Sequence, residues 1–441
     1  MHKLRAFLFC SILLLGLWAL AASSPEDFLH EQKLIRVYVD AAPGFGHQSA
    51  GISVMRRMRE MGFDGQFEVV YQEAVEAKIK KIYPSFPEGI EGQIRYVGAM
   101  DYVKNFAQVE HVNIAVSGAD DGSGDSFRKV AKAYTYLRLQ PLGWGQSAMY
   151  GKETKVLGSL QNLPLTNLNS PKQEQFKELV RTNSDLSPDK KEFVFKFAEL
   201  AANNLSFPVY GVGIQTYAPQ RMYFYGKAVK SAAQKINSDK AVIVPVLSPF
   251  NAQEMDTMNK VFGKTAGFEA ATAAELKHQK QMHLMTPAEF AALPQVKPGH
   301  VYFVFVGSVP QAVFNFFYEQ ANLPVWVAGK NAMSFAVTKG KPYFNTVDDY
   351  FLPEKNKLSA ASIKVLEKAQ QGFTAGYMEF ANQGSLRAVT QFILEASSPG
   401  TELEAFFHSL GEKMSSNDKV REGLRHAIDS GPAPLCSQVF N

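Results

Sequence analysis

A glycine-rich stretch at residues 40–49, DAAPGFGHQS, carries the residue types best suited to binding a ligand and moving a proton. Glycines between a strand and a helix let the backbone approach a ligand, and the free N–H groups at the helix start favour an anion. His47 would lie at that helix start, where the positive end of the helix dipole favours the neutral imidazole of a general base. Alternatively, the glycines form only a tight turn, and His47 caps the helix or lies in the core. The residues predicted to form the ligand loop around His47 are Gly44, Phe45, Gly46, Gln48 and Ser49.

A second polar stretch, SGADDGSGD at residues 117–125, follows a strand-like run and is predicted to lie at the same sheet edge as His47. Asp120 or Asp121 would orient the imidazole there, as the acid of a catalytic dyad does. Hard cations also prefer several carboxylate oxygens, so the stretch suits a metal site. Aspartates that form turns in a solvated acidic loop are a third interpretation.

Two further strand-to-helix turns occur in the second half of the chain, at residues 306–310 (VGSVP) and 328–334 (AGKNAMS). Both offer free helix N–H groups, and Lys330 adds a cation suited to a diphosphate. The alternatives are that Lys330 is a surface charge and that Asn331 and Ser334 are a helix cap and a helix-face residue. The residues predicted to bind a ligand here are Gly307, Ser308, Gly329, Lys330, Asn331 and Ser334.

A dinucleotide cofactor is a weaker interpretation of the first loop, because Ser49 stands where the third glycine of the fingerprint belongs. Glu73, at the end of the second predicted strand, would hold a ribose hydroxyl in that case. No metal or other cofactor is expected otherwise. The remaining histidines show no metal-ligand spacing and are interpreted as structural; they are His111, His278, His283, His300, His408 and His426.

Alternating strand and helix patterns predict the elements that position these turns. Short β-branched and aromatic runs predict strands at 35–40, 67–71, 94–97, 112–116, 208–214, 241–247, 301–306 and 325–327. Residues between them with helical spacing imply right-handed crossovers and mostly parallel sheets. The fold class is therefore α/β, with two Rossmann-like domains facing a cleft. The predicted divisions are an N-terminal domain at 34–236, a C-terminal domain at 237–358 and a helical tail at 359–441 that packs across both.

The first 22 residues have a short basic start, an apolar run and the small-residue pattern Ala19-Leu20-Ala21, which is typical of a cleaved export signal. No later segment is long and apolar enough to span a bilayer. Removal of the signal leaves Cys436 as the single cysteine, so an intramolecular disulfide is excluded. A formal charge of +4 without a basic stripe argues against a nucleic-acid partner.

The motifs resemble a known family. The run Pro43-Gly44-Phe45-Gly46-His47 is similar to the P-x-x-G-H loop of glycosyltransferases of the GT-B fold. The spacing G-H-x-x-A at residues 46–50 looks like the lipid-linked members of that class. Residues 323–334, followed by Gly340-Lys341-Pro342, are similar to the family's donor-site segment.

The resemblance implies that His47 takes the proton of an acceptor hydroxyl, with Asp120 or Asp121 orienting it. It also implies that the C-terminal domain binds a nucleotide-sugar donor without a metal. At the place where the family carries an acidic residue that holds the ribose, this chain has Phe335. The expected function is an exported glycosyltransferase-like protein with a glycan, lipid or small-molecule acceptor. The alternatives are a secreted sugar- or nucleotide-binding protein without catalysis, and an NAD(P)-dependent oxidoreductase.

Overall fold

The computed structural model describes residues 24–41, 46–77, 79, 93–120, 126–143, 147–151, 154–160, 163–165, 173–212, 218–237, 239–248, 250, 252–263, 281–346, 351–374 and 383–430. The predicted export signal lies outside these ranges. Contacts divide the chain into residues 1–165 with 418–441, which we call unit 1, and residues 166–417, which we call unit 2.

The strands match seven of the runs predicted from the sequence to within a residue or two. They are β1 (Leu34–Val39), β2 (Gln66–Tyr71), β3 (Ile94–Gly98), β4 (Val112–Ser117), β5 (Ala133–Arg138), β6 (Ala148–Tyr150), β7 (Lys155–Val156), β8 (Leu205–Ser206), β9 (Val242–Val246), β10 (Met282–Met285), β11 (Val301–Phe305), β12 (Val325–Val327) and β13 (Tyr343–Asn345).

Helices follow most of the strands, as the alternating pattern predicts. They are α1 (Pro25–His30), α2 (Gly46–Glu60), α3 (Ala99–Lys104), α4 (Gln173–Thr182), α5 (Pro188–Ala201), α6 (Ala218–Ile236), α7 (Ala252–Gly263), α8 (Pro287–Ala291), α9 (Gln311–Glu319), α10 (Lys330–Thr338), α11 (Ala360–Thr374), α12 (Gln383–Ser397), α13 (Glu402–Ser415) and α14 (Lys419–Ser430).

Unit 1 is built on one sheet with the strand order β3-β2-β1-β4-β5-β6-β7. The first five strands pair in parallel, and β6 and β7 add to the edge in antiparallel fashion. The winding direction reverses between β1 and β4. In an open α/β sheet, the crevice outside the carboxyl ends of the strands at such a reversal is where ligands bind.

The core of unit 1 is formed by apolar residues that recur at every second position in β1 and at helical spacing in α2. Ile35, Val37 and Val39 alternate along β1 to one face of the sheet, and none is exposed. Ile52 and Met55 lie one turn apart on α2 and pack into the same core. Helix α2 is thereby fixed over β1, which sets the position of its first residues.

Unit 2 contains a second parallel sheet. The order β10-β11-β9-β8 and the pair β12-β13 are joined by Val209, which bridges in parallel to Val246 and to Trp326. The winding reverses here between β8 and β12. Each unit therefore has a mostly parallel sheet with helices between its strands, which confirms the predicted α/β fold class.

The predicted domain boundary near residue 236 differs from the observed division at 165/166. The segment 208–214 was predicted as a late strand of the first sheet, which is wrong. Leu205 and Ser206 pair instead with Val242 and Ile243 of β9, so this strand opens the sheet of unit 2. The tail is helical as predicted, with α11, α12 and α13 in unit 2 and α14 in unit 1.

An ion-pair network occupies the other face of the unit 1 sheet. The guanidinium of Arg36 is fully buried and donates to the carboxylate of Glu68, its partner in register on β2. Its remaining N–H groups donate to the carbonyl oxygens of Glu110, at 3.0 Å, and of Ala131. Glu68 also accepts from Arg95 of β3. Both buried charges are therefore neutralised and hydrogen-bonded within the sheet.

A buried lysine ties the carboxyl-terminal helix α14 to the end of β5. Lys419 is 1% exposed, and its ammonium donates to the carbonyl oxygen of Gln140. Burial lowers the pKa of Lys419 from 10.5 to about 7. The folded chain therefore loses a proton from this site at a pH where the unfolded chain still holds it.

Stability should consequently rise with pH above neutrality. Between pH 7 and pH 10.5 the unfolded chain binds one proton more at Lys419, so the unfolding free energy increases by up to about 1.4 kcal/mol per pH unit. The measurement is urea denaturation at pH 7.5, 8.5 and 9.5 of the wild type and Lys419→Met. We expect the difference between the two proteins to change with pH by this slope, whereas parallel curves would contradict it.

Candidate functional site

The end of β1 and the start of α2 bring together an aspartate and a histidine. His47 is the second residue of α2 and is 3% exposed, and Asp40 directly follows β1 and is equally buried. The distance from His47 Nδ1 to Asp40 Oδ2 is 3.8 Å. This exceeds a direct hydrogen bond, but hydrogen bonds of catalytic groups often shorten only when substrate binds. The pair has the composition of a base and the carboxylate that orients it.

The carboxylate that lies beside His47 is that of Asp40, whereas Asp120 or Asp121 was predicted to lie there. Asp120 is fully buried and accepts from Ser117 Oγ at 3.0 Å and from Arg138 Nη2 at 2.9 Å. Its charge is therefore balanced by the arginine at the end of β5. Asp121 lies outside the described residues.

The sequence signal for Asp40 is its place directly after the apolar end of β1, with only six residues between it and His47. The carboxyl end of a strand and the start of the helix that follows border the same crevice in an open α/β sheet.

The turn that carries Asp120 is pressed against α2. A Cβ on Gly118 would lie 2.4 Å from the backbone carbonyl of Ala50, one turn after His47, so only glycine fits here. Burial, and next the charge of Asp120, raise the pKa of Tyr136 well above its usual range. The ends of β4 and β5 thus form a buried polar cluster along the same sheet edge.

The predicted ligand loop divides into two parts. Gly44 and Phe45 lie outside the described residues, and α2 begins at Gly46. Gln48 is fully buried and donates from Nε2 to the carbonyl oxygen of Asp40 at 3.2 Å. Ser49 is half-buried, and its carbonyl accepts from Ser53 Oγ at 2.9 Å. Gln48 therefore fastens the helix start to the strand end beneath His47.

At the carboxyl edge of the unit 2 sheet, three loops converge at the winding reversal. The backbone N–H groups of Gly211 and Val212 donate to Ser248 Oγ at 2.7 and 3.0 Å, which joins the ends of β8 and β9. A Cβ on Gly211 would lie only 2.0 Å from the Cβ of Ala328, which follows β12. Sequence reasoning missed Gly211, Val212 and Ser248, although a glycine between a strand and a helix is the relevant signal.

The predicted donor residues lie along this edge of unit 2. Gly329, with φ of 88°, is the residue that precedes α10. Lys330 is 9% exposed, so its interpretation as a surface charge is wrong. Ser334 is fully buried on the helix face. Asn331 is half-buried beside them.

The turn after β11 is the second predicted donor turn. Gly307 adopts φ of 69°, and its N–H donates to the carbonyl oxygen of Val246 at 3.0 Å. Lys190, from the start of α5, donates to the carbonyl oxygen of the exposed Ser308 at 2.9 Å. The turn therefore combines exposed backbone with a nearby cation.

Phe335, where the resemblance leads one to expect an acidic residue, is a core residue. It is 3% exposed and packs edge-to-face on Tyr318 with ring centroids 6.2 Å apart. In unit 1, Glu73 Oε1 accepts from the backbone N–H of Met100 at 2.6 Å. Glu73 thus has a helix-capping role at α3.

Replacing Gly211 by alanine should destabilise the protein by about 2–4 kcal/mol, since the new methyl group overlaps Ala328 and φ at this position is +77°. Gly299→Ala is the matched control, because φ there is +72° and nothing lies within 4 Å of a new Cβ. It should cost about 1 kcal/mol from backbone strain alone. Urea denaturation measures both, and equal losses would contradict the close approach at Gly211.

Among the described residues, no group of three or more His, Cys, Asp and Glu side chains is placed to hold a metal ion. His283 and His300, interpreted as isolated, form a pair with 2.8 Å between Nε2 and Nδ1. Burial, and next the charge of His300, lower the pKa of His283.

Among all the residues that the structure describes, no helix is long and apolar enough to cross a membrane.

No family model and no curated protein matches this sequence. Among solved structures, the chain is similar to a UGT transferase from Siraitia grosvenorii in complex with UDP, at 11% identity over 90% of this chain and 99% of that one, with a TM-score of 0.48. It is also similar to a structure of EarP-mediated arginine glycosylation of translation elongation factor EF-P, at 11% identity over 89% and 97%, with a TM-score of 0.41. A UDP-GlcNAc 2-epimerase from Methanocaldococcus jannaschii is similar at 10% identity over 86% and 99%, with a TM-score of 0.37.

Glycosyltransferases are among the solved structures to which this chain is similar. The strand pairing establishes the two mostly parallel α/β units. At identities near 10%, neither donor nor acceptor follows from the likeness.

Proposed function

We propose that this protein transfers a sugar from a nucleotide-diphosphate sugar to a hydroxyl acceptor. Unit 1 handles the acceptor and unit 2 the donor. The observation that carries the proposal is the buried pair of His47 and Asp40 at the winding reversal of the first sheet. A carboxylate beside one ring nitrogen of a histidine favours a proton on that nitrogen, and the other nitrogen then has the lone pair that a base needs.

In the proposed reaction, Nε2 of His47 takes the proton of the acceptor hydroxyl as its oxygen attacks the anomeric carbon of the donor. The bond between that carbon and the diphosphate oxygen breaks, and the nucleoside diphosphate leaves with the electron pair. Nδ1–H then donates toward Asp40, which stabilises the imidazolium. Since His47 is 3% exposed, acceptor binding must displace residues that cover it.

The features of unit 2 that support donor binding are the glycine turn at Gly329, which begins α10, and the buried Lys330. Free helix N–H groups and a lysine ammonium stabilise the charge that develops on a leaving diphosphate. The reaction in this form needs no metal. Gly307 and Ser308, next to Lys190, offer a second place for a phosphate oxygen.

A second candidate is a binding protein without catalysis. The core position of Phe335 favours it, because the acidic side chain that would hold a donor ribose is absent there. Such a protein would bind a nucleotide sugar and return it unchanged.

The test is incubation of the purified protein with a panel of nucleotide sugars and mixed hydroxyl acceptors, followed by chromatography for released nucleoside diphosphate. Release that depends on an acceptor supports transfer. Binding of a nucleotide sugar without release supports the second candidate. If no nucleotide sugar is bound or consumed, both are overturned.

Export is part of the proposal. Removal of residues 1–22 would leave α1 whole, because its capping box begins at Ser24 and Glu26 pairs with Arg421 of α14. Expression of the full chain in an export-competent host should give a secreted or periplasmic product whose intact mass is that of a chain beginning at Ser23. A cytosolic product of full mass would contradict export.

A further inference from the structure

We propose that Gln72 is a positioning residue that aims the carboxylate of Asp40 at His47. The inference deepens the proposed function and rests on it for the role of His47. Gln72 directly follows β2, and the parallel register of β1 and β2 places it beside Asp40 on the same face of the sheet.

The two oxygens of Asp40 have different surroundings. Oδ1 accepts from the backbone N–H of Ala41 at 2.8 Å and from Gln72 Nε2 at 2.7 Å. Oδ2 is the oxygen that lies 3.8 Å from His47 Nδ1. Two donors on one oxygen fix the rotation of the carboxylate, and the other oxygen is thereby directed at the imidazole.

The amide of Gln72 is itself held in one orientation. Its Nε2 donates its second hydrogen to Tyr38 Oη at 2.8 Å. A carboxylate oxygen only accepts, so the amide nitrogen and not the amide oxygen must face Asp40. The ring of Tyr38 stacks on Phe127 with centroids 4.4 Å apart, which fixes the hydroxyl in turn.

These contacts form a chain from the core to the imidazole, running from Tyr38 through Gln72 and Asp40 to His47. In such a chain the last carboxylate selects which ring nitrogen of the histidine carries the proton. By directing Oδ2 of Asp40 toward Nδ1, Gln72 therefore favours the tautomer with its proton on Nδ1.

The test compares Gln72→Met with Gln32→Met. Methionine keeps the length of glutamine and removes its donors. Gln32 is the matched control, because it is a buried amide of unit 1 that contacts Phe28 and Asn113 instead of the site. The readout is the pair of imidazole nitrogen-15 resonances of His47, assigned by their loss in His47→Ala.

We expect the wild type and Gln32→Met to show His47 with its proton on Nδ1, and Gln72→Met to show a mixture of the two tautomers. If transfer is observed, Gln72→Met should lower kcat by about 10- to 100-fold with KM nearly unchanged. Unchanged His47 resonances in Gln72→Met overturn the inference, whatever the turnover.

A second variant keeps the test decisive if Gln72→Met fails to fold. Tyr38→Phe retains the ring that stacks on Phe127 and removes the hydroxyl that accepts from the amide of Gln72. It should move the resonances of His47 in the same direction by a smaller amount, and no movement counts against the proposal. A tautomer change without transfer by the wild type would leave the positioning role intact and overturn the proposed function.

Discussion

His47→Ala should reduce sugar transfer by about 10²- to 10⁴-fold in kcat, while the dissociation constant of the donor changes less than twofold. A general base contributes a factor of this size, and its removal leaves the acceptor hydroxyl without a proton acceptor. Donor binding is expected to survive because the proposed donor residues belong to unit 2. Steady-state kinetics with the active nucleotide sugar and equilibrium binding of the donor measure the two quantities.

The control for this variant is His111→Ala. His111 is an exposed histidine of unit 1 whose ring lies 4.3 Å from that of Tyr134, away from the carboxyl edge of the sheet. It should leave kcat unchanged. Equal loss of donor affinity and turnover in His47→Ala would contradict an acceptor-side base.

Glu68→Gln should destabilise the protein by about 3–5 kcal/mol, because removal of one partner leaves the buried charge of Arg36 without compensation. Urea denaturation at pH 7 gives the difference. Glu60→Gln is the control, since Glu60 forms a partly exposed ion pair with Arg57 that is worth about 1 kcal/mol or less.

The double variant Arg36→Met, Glu68→Leu separates burial of charge from loss of packing. Replacing both members of a buried pair by apolar residues is often neutral, so it should recover most of the stability lost in Glu68→Gln. A double variant as unstable as the single one would show that the network acts through packing, and the charge argument would be wrong.

The elements that position the candidate site could be predicted where the local sequence pattern is strong. β1 is a run of alternating and β-branched residues between Leu34 and Val39, and α2 carries Ile52 and Met55 at helical spacing. Such patterns predict secondary structure well, because burial of one face of a strand or helix in the core imposes a regular spacing of apolar residues. β8 could not be predicted, since it has two residues and forms only by pairing with β9, about 37 residues later.

The position of His47 could be predicted from the local sequence of its loop. The residues beside it could not, because the packing and register of the sheet bring them together. A histidine after a glycine turn is placed at a helix start by sequence alone, and the structure has it there. Asp40 lies beside His47 only because the first turn of α2 lies over the end of β1. Gln72 lies beside Asp40 because of the register of β1 and β2. This register brings together residues that are 32 positions apart, and the local sequence around either residue does not indicate it.

The most direct test of the central claim is thermal unfolding over a concentration series of nucleotide sugars, nucleoside diphosphates and NAD(P). The account predicts that one nucleotide sugar and its nucleoside diphosphate raise the Tm. At a ligand concentration of 100 times the Kd, the unfolding free energy should increase by about 2.7 kcal/mol. Lys330→Met, which removes the buried cation at the start of α10, should lose most of that shift. A Tm that no nucleotide sugar raises, or that NAD(P) alone raises, would contradict the account.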